Sequence, residues 1–350
     1  MPNKDFLMKK CLLLGICLIG FSIYADGETA PTRFDAYNGM VPDARAIAMG
    51  ESFVAVGNTP SMAVYNPAGL AGITANLFSI TLEATRQSEL TTDQIFSGEA
   101  LRNRSVQFLA LTGPKGSLSW RPVSNETTKT MNGVDWIENE VKISALTIAA
   151  AQQNSPSAAT GLSLSYLTGT IAQSSLTGGV PFMNLADGSG ASADFGFLWT
   201  ISPQLRAGLN LNNIFGMMWW DDYGSEQLPF SIRAGFSFQV ADFLIFSSDW
   251  EKRYYRKDPD TNIGRTPEII HFGIEQWLGK ILALRAGTFS TDLNNKEAVH
   301  VTAGLGYSSA GYALSLAGEK YRVSQADVYR YVFSLDAPFG TTTSDQTNAQ

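Results

Sequence analysis

Two histidines, His271 and His300, are the residues of this sequence best suited to acid–base chemistry. Their strand patterns place both on the same side of a sheet, two strands apart, with serine and aspartate residues available. No nucleophile elbow, metal-ligand spacing or phosphate-binding loop accompanies them. Gly304 and Gly306 lie in a strand pattern with no following helix, so they do not form a dinucleotide fingerprint. The sequence therefore predicts no enzyme, no catalytic residue, no metal site and no cofactor.

Three arginines, Arg206, Arg233 and Arg285, are candidates for binding an anionic head group. A guanidinium group suits this task because it forms two parallel hydrogen bonds with a carboxylate. The same arginines fit salt-bridged networks, which the sequence favours because an isolated buried charge is costly. With a turn at 278–280, Glu275 becomes a diagonal neighbour of Arg285 on the next strand. Carboxylate binding, above all by Arg233 or Arg285, is the alternative.

Residues 213–227 are predicted to form a loop that carries an unusual number of large apolar side chains. These are Phe215, Met217, Met218, Trp219 and Trp220. An apolar cluster on an exposed loop marks a binding surface. The adjacent Asp221 and Asp222 disfavour an anion at this point. The loop is therefore predicted to capture the apolar part of a ligand.

The elements that must position these residues are β-strands. Hydrophobic residues make up 44% of the chain and charged residues only 16%, against about 25% in a typical soluble domain. Beyond residue 25, no run reaches the 18 apolar residues that a transmembrane helix needs. Apolar and polar residues alternate instead, as in strands that face lipid on one side. The alternation predicts ten inward charged residues: Lys142, Arg206, Arg233, Asp249, Glu251, Glu275, Arg285, Glu319, Arg330 and Asp336.

Fourteen strands are predicted between residues 77 and 337. Short turns alternate with mostly longer loops, and the long ones are placed at 87–102, 123–137, 171–190, 213–227 and 252–266. Such alternation, with an even number of strands, is typical of outer-membrane barrels whose termini both lie in the periplasm. The sequence therefore predicts an all-β fold, a 14-stranded antiparallel transmembrane β-barrel spanning residues 76–339.

The two ends of the chain carry targeting signals. Residues 1–25 read as a secretory signal peptide cleaved near Ala25, and both cysteines, Cys11 and Cys17, lie inside it. Acylation of Cys17 in a lipoprotein is the alternative. Loss of the signal would remove a net charge of +2, so that the net charge of −7 becomes −9. An acidic exported chain excludes nucleic acid as a partner. The tail at 340–350 is polar and predicted to be disordered.

Residues 26–75 are predicted to form a compact plug inside the barrel. Thr59 and Pro60 read as the start of a short helix that ends at Tyr65, because Pro67 excludes helical geometry at the residue before it. A second turn then begins at Pro67. The triplet Asn66–Pro67–Ala68 fits either a switch that moves when ligand arrives or an ordinary turn packed against the barrel wall.

The motifs of this segment resemble those of FadL-like outer-membrane proteins, a superfamily that includes the PorV-type secretion components. The resemblance rests on Ala44–Gly50, Phe53–Val56 and Tyr65–Ala71, and the hairpin segments Ser202–Leu209 and His271–Trp277 resemble the PorV-type branch. It implies a 14-stranded barrel closed by an N-terminal hatch that contains the Asn-Pro-Ala triplet. The aromatic-rich final strand, which ends near Phe339, resembles the signal read by the outer-membrane assembly machinery.

The resemblance also implies a function. FadL-like barrels carry hydrophobic molecules, long-chain fatty acids above all, inward across the outer membrane. This chain is accordingly predicted to be a multi-pass protein of the outer membrane, with membrane lipid and a hydrophobic small molecule as partners. The alternative is a PorV-like barrel that docks exported proteins and transports nothing.

Overall fold

A computed structural model describes residues 43–86, 105–255, 266–290, 298–309, 311–323 and 326–340. The predicted signal peptide, the first part of the predicted plug, the loop at 87–102 and the tail beyond residue 340 lie outside the described residues. The described strands are β1 (Leu77–Arg86), β2 (Ser105–Gly113), β3 (Gly116–Asn132), β4 (Asp135–Ser155), β5 (Ala158–Thr177), β6 (Val180–Thr200), β7 (Leu205–Trp220), β8 (Gly224–Gln227), β9 (Phe230–Ala241), β10 (Leu244–Tyr254), β11 (Glu268–Leu278), β12 (Leu282–Ser290), β13 (Val299–Ser309), β14 (Tyr312–Val323) and β15 (Ala326–Pro338).

Fourteen of these strands close into one antiparallel barrel. Each barrel strand pairs with the next, and the last strand, β15, pairs with β1 from Leu77 opposite Pro338 to Arg86 opposite Tyr329. The short strand β8 pairs only with Met217–Trp220 at the end of β7, while Leu205–Asn212 of β7 pair with β9. The predicted 14-stranded barrel is therefore confirmed. We call the end with Leu77 and Pro338 the lower end.

Five consecutive strands, β3 to β7, are much longer than predicted. The predicted loops at 123–137 and 171–190 are instead strand, closed by tight turns that contain Gly133 and Gly178–Gly179, all with positive φ. The predicted loop at 213–227 is wrong as well, because residues up to Trp220 belong to β7. A strand that extends beyond lipid no longer needs an apolar outer face, so the alternating pattern fades there although the ladder continues.

The barrel carries apolar residues on its outer face and polar residues inside. Leu164, Phe272 and Leu305 are more than half exposed on the outside, whereas most of the predicted inward charges are buried. Lys142 is an exception, since it lies on the outer face and pairs with Glu140 at 2.5 Å. The reason is that the inward residues of β4 are the odd-numbered ones. None of the helices in the described part of the chain is both long and apolar enough to cross a bilayer.

Residues 43–76, which we call the inner segment, lie inside the barrel. The segment contains two short helices, α1 (Ala44–Ala48) and α2 (Met62–Tyr65), and a 3-10 helix (Pro67–Gly72). Asp43 caps α1 by accepting a hydrogen bond from the amide of Arg45 at 2.8 Å. Helix α2 begins later than predicted, because Thr59 binds the hydroxyl of Ser61 at 2.8 Å instead of capping a helix.

Candidate functional site

The inner segment packs directly on the barrel wall, backbone against backbone. The wall is lined with glycines where the segment touches it: Gly161 and Gly196 face Pro67 and Ala68, and Gly287 faces Gly50. A Cβ atom at any of these glycines would overlap the segment's main chain. The interior of the lower barrel is therefore shaped to hold this segment closely.

Asp249 of β10 holds the middle of the inner segment. It is buried, and one of its carboxylate oxygens accepts hydrogen bonds from the amides of Phe53 at 2.7 Å and Val54 at 3.0 Å. The same oxygen accepts a hydrogen bond from Arg233 Nε at 3.0 Å. Arg233 in turn donates to the carbonyl oxygen of Glu51. Arg233 and Asp249 thus bind each other, and both also bind the inner segment.

Glu275 of β11 holds the first helix of the inner segment. Its carboxylate forms two hydrogen bonds with Arg45, at 2.6 and 2.7 Å, and one with Arg285 at 2.6 Å. Burial opposes the charge of Arg45, but Glu275 more than offsets this, so the pKa of Arg45 lies above its usual value. Glu275 and Arg285 are direct cross-strand partners, not the predicted diagonal neighbours, because the turn is centred on residue 280.

Arg233 and Arg285 are therefore parts of the attachment between wall and segment. Arg285 also donates to Ser315 at 3.2 Å, and Arg206 donates to the carbonyl of Val56 at 2.8 Å. Each of the three predicted carboxylate-binding arginines thus has a partner inside the protein. Arg233 and Arg285 form salt bridges, as the sequence favoured, whereas Arg206 binds only a main-chain carbonyl among the described residues.

Asn66 connects three parts of the molecule. Its side chain donates to the carbonyls of Val54 at 2.8 Å and Phe197 at 3.1 Å, and it accepts a hydrogen bond from the amide of Ala68 at 3.2 Å. The residue is fully buried. Pro67 follows as the first residue of the 3-10 helix, which fits the helix-breaking turn. The triplet is thus a structural junction at which a displacement of the segment would break bonds to the wall.

Replacing Asn66 by alanine is expected to lower the free energy of unfolding by about 2–3 kcal/mol. The change removes the side-chain donor from the buried carbonyl of Val54 and the half-buried carbonyl of Phe197, and an unsatisfied buried group costs about 1–3 kcal/mol. Urea unfolding of the barrel in lipid vesicles measures this loss. The matched control is Asn125→Ala on the exposed part of β3, for which a change below about 0.5 kcal/mol is expected. Equal losses in both variants would contradict the role of Asn66 as a junction.

The two histidines belong to the packing around the inner segment. His271 Nδ1 lies 2.9 Å from the carbonyl oxygen of Gly50, and His300 Nδ1 lies 2.6 Å from Glu319. Phe289 is stacked between the two rings, at centroid distances of 5.4 and 4.2 Å. Within the described ranges, no three histidine, cysteine or acidic side chains lie close enough together to hold a metal ion.

Burial, with a smaller contribution from nearby Glu51, raises the pKa of the Tyr65 hydroxyl well above its usual value.

A second apolar cluster lies inside the barrel above the inner segment. We call it the upper cluster. It consists of Val123, Val141, Ile143, Ala145, Leu167, Ile171, Ala186, Met218, Trp220 and Leu228. On β4, Ala145 belongs to this cluster, whereas Ala149, four residues lower, packs with the inner segment, and four strand residues span about 13 Å. The upper cluster is therefore a separate apolar surface inside the barrel.

The predicted capture residues are divided between the two faces of β7. Met218 and Trp220 point inward and are buried in the upper cluster, with Trp220 only 4% exposed. Phe215, Met217 and Trp219 have the opposite parity and point outward, with Trp219 45% exposed. The predicted single cluster on a loop is therefore wrong, because a strand turns successive side chains to opposite faces.

A bulge in β7 lies just below these residues. Phe195 pairs with Leu211 but Ala193 pairs with Phe215, so β7 contains two extra residues at this point. Asn213 at the bulge has a φ of 50°, which asparagine tolerates better than most residues. Its amide donates to Asp194 at 2.7 Å. Because two residues are inserted, the inward parity of Met218 and Trp220 is preserved.

The wall is also interrupted between β2 and β3. These strands pair only from Leu109 opposite Trp120 to Gly113 opposite Gly116. Above Trp120, the described part of β3 pairs with β4 alone. The described strands thus leave one edge of upper β3 without a neighbouring ladder, beside the upper cluster.

Comparison with solved structures finds the same fold in several other proteins. The toluene transporter TodX of P. putida superimposes with a TM-score of 0.62 at 13% identity, covering 87% of this chain and all of TodX. A FadL homologue of Pseudomonas aeruginosa superimposes with a TM-score of 0.58 at 13% identity, covering 89% of this chain and 98% of the homologue. The monoaromatic hydrocarbon channel CymD superimposes with a TM-score of 0.57 at 14% identity, covering 87% of this chain and all of CymD. The chain has the FadL-type fold. No family model and no curated protein sequence matches the chain.

The FadL-type fold was visible in the sequence, but one inward residue beside the upper cluster was missed. Arg121 lies on β3 opposite Ala145, a member of the upper cluster. The strand predicted at 116–122 carries Ser117 and Ser119 at the same parity as Arg121, so alternation alone would have placed this arginine inside. It was overlooked because it lies near the predicted end of that strand.

Proposed function

We propose that this FadL-type barrel is an outer-membrane channel for the uptake of hydrophobic molecules, with long-chain fatty acids as the principal cargo. The observation that carries the proposal is the upper cluster, an apolar surface inside a barrel. Barrels that pass hydrophilic solutes have polar interiors. An apolar surface inside the wall instead offers a hydrophobic molecule a place to leave water, with a gain of about 0.8 kcal/mol per buried CH₂ group.

In this proposal the inner segment acts as the plug below the binding surface. Its attachments through Glu275, Asp249 and Asn66 block straight passage, so cargo leaves either when the segment shifts or sideways through the wall. The interrupted ladder between β2 and β3 supports the sideways route, since fewer hydrogen bonds must break there. The channel would carry out no chemistry on its cargo.

The fold relationship supports a hydrophobic cargo in general. Two of the similar structures are described as a toluene transporter and a monoaromatic hydrocarbon channel, and the third as a FadL homologue. Toluene and an acyl chain share an apolar body that can contact the upper cluster. A long acyl chain can contact the upper cluster and extend over the roughly 13 Å of wall between this cluster and the inner segment, whereas a single ring cannot.

The test separates Trp220, inside the upper cluster, from Trp219, its neighbour on the outer face. Binding of the fluorescent fatty acid cis-parinaric acid to the refolded barrel is measured for the unchanged chain, Trp220→Ala and Trp219→Ala. We expect saturable binding that weakens about tenfold in Trp220→Ala, because truncating a buried tryptophan removes much of the apolar contact. Trp219→Ala, the matched control, should bind as the unchanged chain does.

Uptake in cells completes the test. A Gram-negative host that lacks its own fatty-acid channel should take up labelled oleate faster when it makes this protein. If a demonstrably folded barrel shows neither saturable binding nor uptake, the channel proposal is wrong. Isolation of exported proteins bound to the barrel would then examine the PorV-like docking role.

A further inference from the structure

His271 connects the inner segment to the barrel wall. Its side chain is buried, and its Nδ1 atom lies 2.9 Å from the carbonyl oxygen of Gly50 in the inner segment. A carbonyl oxygen only accepts hydrogen bonds, so the proton of this bond is on Nδ1. The other ring nitrogen, Nε2, lies 3.5 Å from Oε2 of Glu251 on β10 and has no hydrogen-bond partner among the described residues. Whether Nε2 carries a second proton therefore determines how the ring interacts with Glu251.

The two forms of the His271 ring hold the inner segment with different strengths. In the neutral form, the lone pair of Nε2 faces a carboxylate that can only accept, so this contact is repulsive. In the protonated form, Nε2–H faces Glu251, and the hydrogen bond from Nδ1–H to Gly50 becomes charge-assisted, which makes it about twice as strong. The ring of Phe289 stacks on the imidazole at a centroid distance of 5.4 Å. The protonated form is therefore the better bridge between segment and wall.

Charged side chains face His271 from the neighbouring strands. On β10, Glu251 is paired with Arg253 at 2.5 Å. On β9, Arg233 is paired with Asp249 at 3.0 Å and with Glu251 at 3.6 Å. The neighbour on β12 is the uncharged Phe289. His271 thus lies at one end of a chain of ion pairs.

The second histidine has similar surroundings. His300 Nδ1 lies 2.6 Å from Glu319, which pairs with Arg330 at 2.9 Å. Arg330 also lies 3.9 Å from Glu51 of the inner segment and 3.9 Å from Glu83 of β1. We call the charged groups around the two histidines the charged layer. It consists of the carboxylates of Glu51, Glu83, Asp249, Glu251 and Glu319 and the guanidinium groups of Arg233, Arg253 and Arg330.

The charged layer contains more carboxylates than guanidinium groups. Five of the former and three of the latter leave an excess of two negative charges among the described residues. Glu275, lower on β11, is bound by Arg45 and Arg285 and does not belong to this group. Protonation of both histidines would make the layer neutral, whereas two neutral rings leave the excess charge inside the barrel. Buried charge without compensation is costly, so the protons of the histidines are linked to the stability of the layer.

We propose that a proton on His271 is part of the attachment of the inner segment, so that the barrel holds this segment more firmly in acid than in alkali. This inference goes beyond the proposed function and does not depend on the cargo. The ring interacts favourably with both Gly50 and Glu251 only in its charged form. The stabilisation is therefore complete at low pH and is lost as the pH rises through the titration of the ring. His271 is thus a positioning residue, and the inner segment would shift more readily at high pH.

A cysteine in place of the buried Ala63 measures detachment, because a reagent reaches it when the inner segment leaves the wall. Its reaction with iodoacetamide is followed at pH 6 and pH 9 in the refolded mature barrel, with and without His271→Phe. Both proteins carry the same thiol, so the pH dependence of the thiol itself cancels in the ratio of the two rates. His271→Phe should react about 13 to 160 times faster at pH 6, where a charged hydrogen bond is lost, and only about 2 to 13 times faster at pH 9, where a neutral one is lost.

His300→Phe is the matched control, because the hydrogen bond of His300 goes to Glu319 of the wall. It should change the rate less than about threefold at pH 6, as expected for a residue that does not hold the segment. Heat-modifiable gel mobility checks that each barrel is folded. A rate ratio for His271→Phe that is the same at both pH values would overturn the inference, and the channel proposal would stand.

Nitrogen-15 NMR of the unchanged barrel tests the same inference without a variant. The chain has two histidines, so a protein labelled at histidine and purified with a tag that contains none gives two ring systems to assign. His271 should carry protons on both ring nitrogens at pH 6 and on Nδ1 alone at pH 9. A neutral His271 ring at pH 6 would overturn the inference even if His271→Phe does not fold.

Discussion

Glu275→Leu is expected to lower the free energy of unfolding by about 3–5 kcal/mol, a loss typical of breaking a buried ion pair by removing one partner. The reason is that Glu275 is fully buried and neutralises two arginines at once, Arg45 of the inner segment and Arg285 of the wall. Without it, both guanidinium groups remain inside the barrel and lose the carboxylate to which they are hydrogen-bonded. Unfolding by guanidinium chloride in lipid vesicles measures the change.

A double-mutant cycle shows whether the loss arises from the contact with the inner segment. Arg45→Met combined with Glu275→Leu should cost less than the sum of the single changes, with a coupling of about 0.5–3 kcal/mol. Glu138→Leu is the matched control, because Glu138 pairs with Lys129 at 3.0 Å near the surface, and such a pair contributes about 0–1 kcal/mol. Strictly additive losses would show that the inner segment is not held by Glu275.

Gly287→Val is expected to detach the inner segment from the wall while the barrel remains closed. The new side chain would overlap the backbone of Met49 and Gly50, which cannot move aside as a flexible side chain can. Overpacking of this kind costs about 1–3 kcal/mol. The detached population should therefore rise about 5- to 150-fold.

A cysteine at the buried Ser52 reports this detachment through its rate of reaction with a maleimide. The mature chain is expected to contain no other cysteine, so the label reads one position. Gly318→Val is the matched control, because a Cβ atom there meets only Tyr331, at 4.0 Å. If the cysteine reacts equally fast in both backgrounds, close backbone contact at Gly287 does not retain the segment.

The alternating pattern predicted the faces of the strands more reliably than their ends. Parity placed Glu275 and Asp249 inside because it depends only on neighbouring residues. It failed for Lys142, where the odd-numbered residues face inward. The ends of β3 to β7 were misplaced because the alternation of apolar and polar residues fades toward the strand tips although the ladder continues. The local pattern therefore predicts which face of a strand points inward, but not the residue at which the hydrogen-bonded ladder ends.

The partners of the inner segment could not be predicted. Arg45 and Glu275 are 230 positions apart in sequence, and their meeting depends on the closure of the whole barrel and on the height of each strand. Asn66 was singled out because Asn-Pro is a recognisable local step, although its bond to the carbonyl of Phe197 was not foreseeable. The division of Trp219 from Trp220 required only that β7 be read as a strand through residue 220.

The extended strands β4 to β6 have 20 or 21 residues, whereas β11 to β13 have 9 to 11. About 10 residues suffice to cross the bilayer. The tips of the long strands depend on the ladder itself and on surface pairs such as Lys129 with Glu138. The free energy of local opening is therefore lower at the tip of a long strand than at the part beside the inner segment. Amide protons near the tips can exchange through local opening, while those beside the inner segment exchange only when the barrel opens globally.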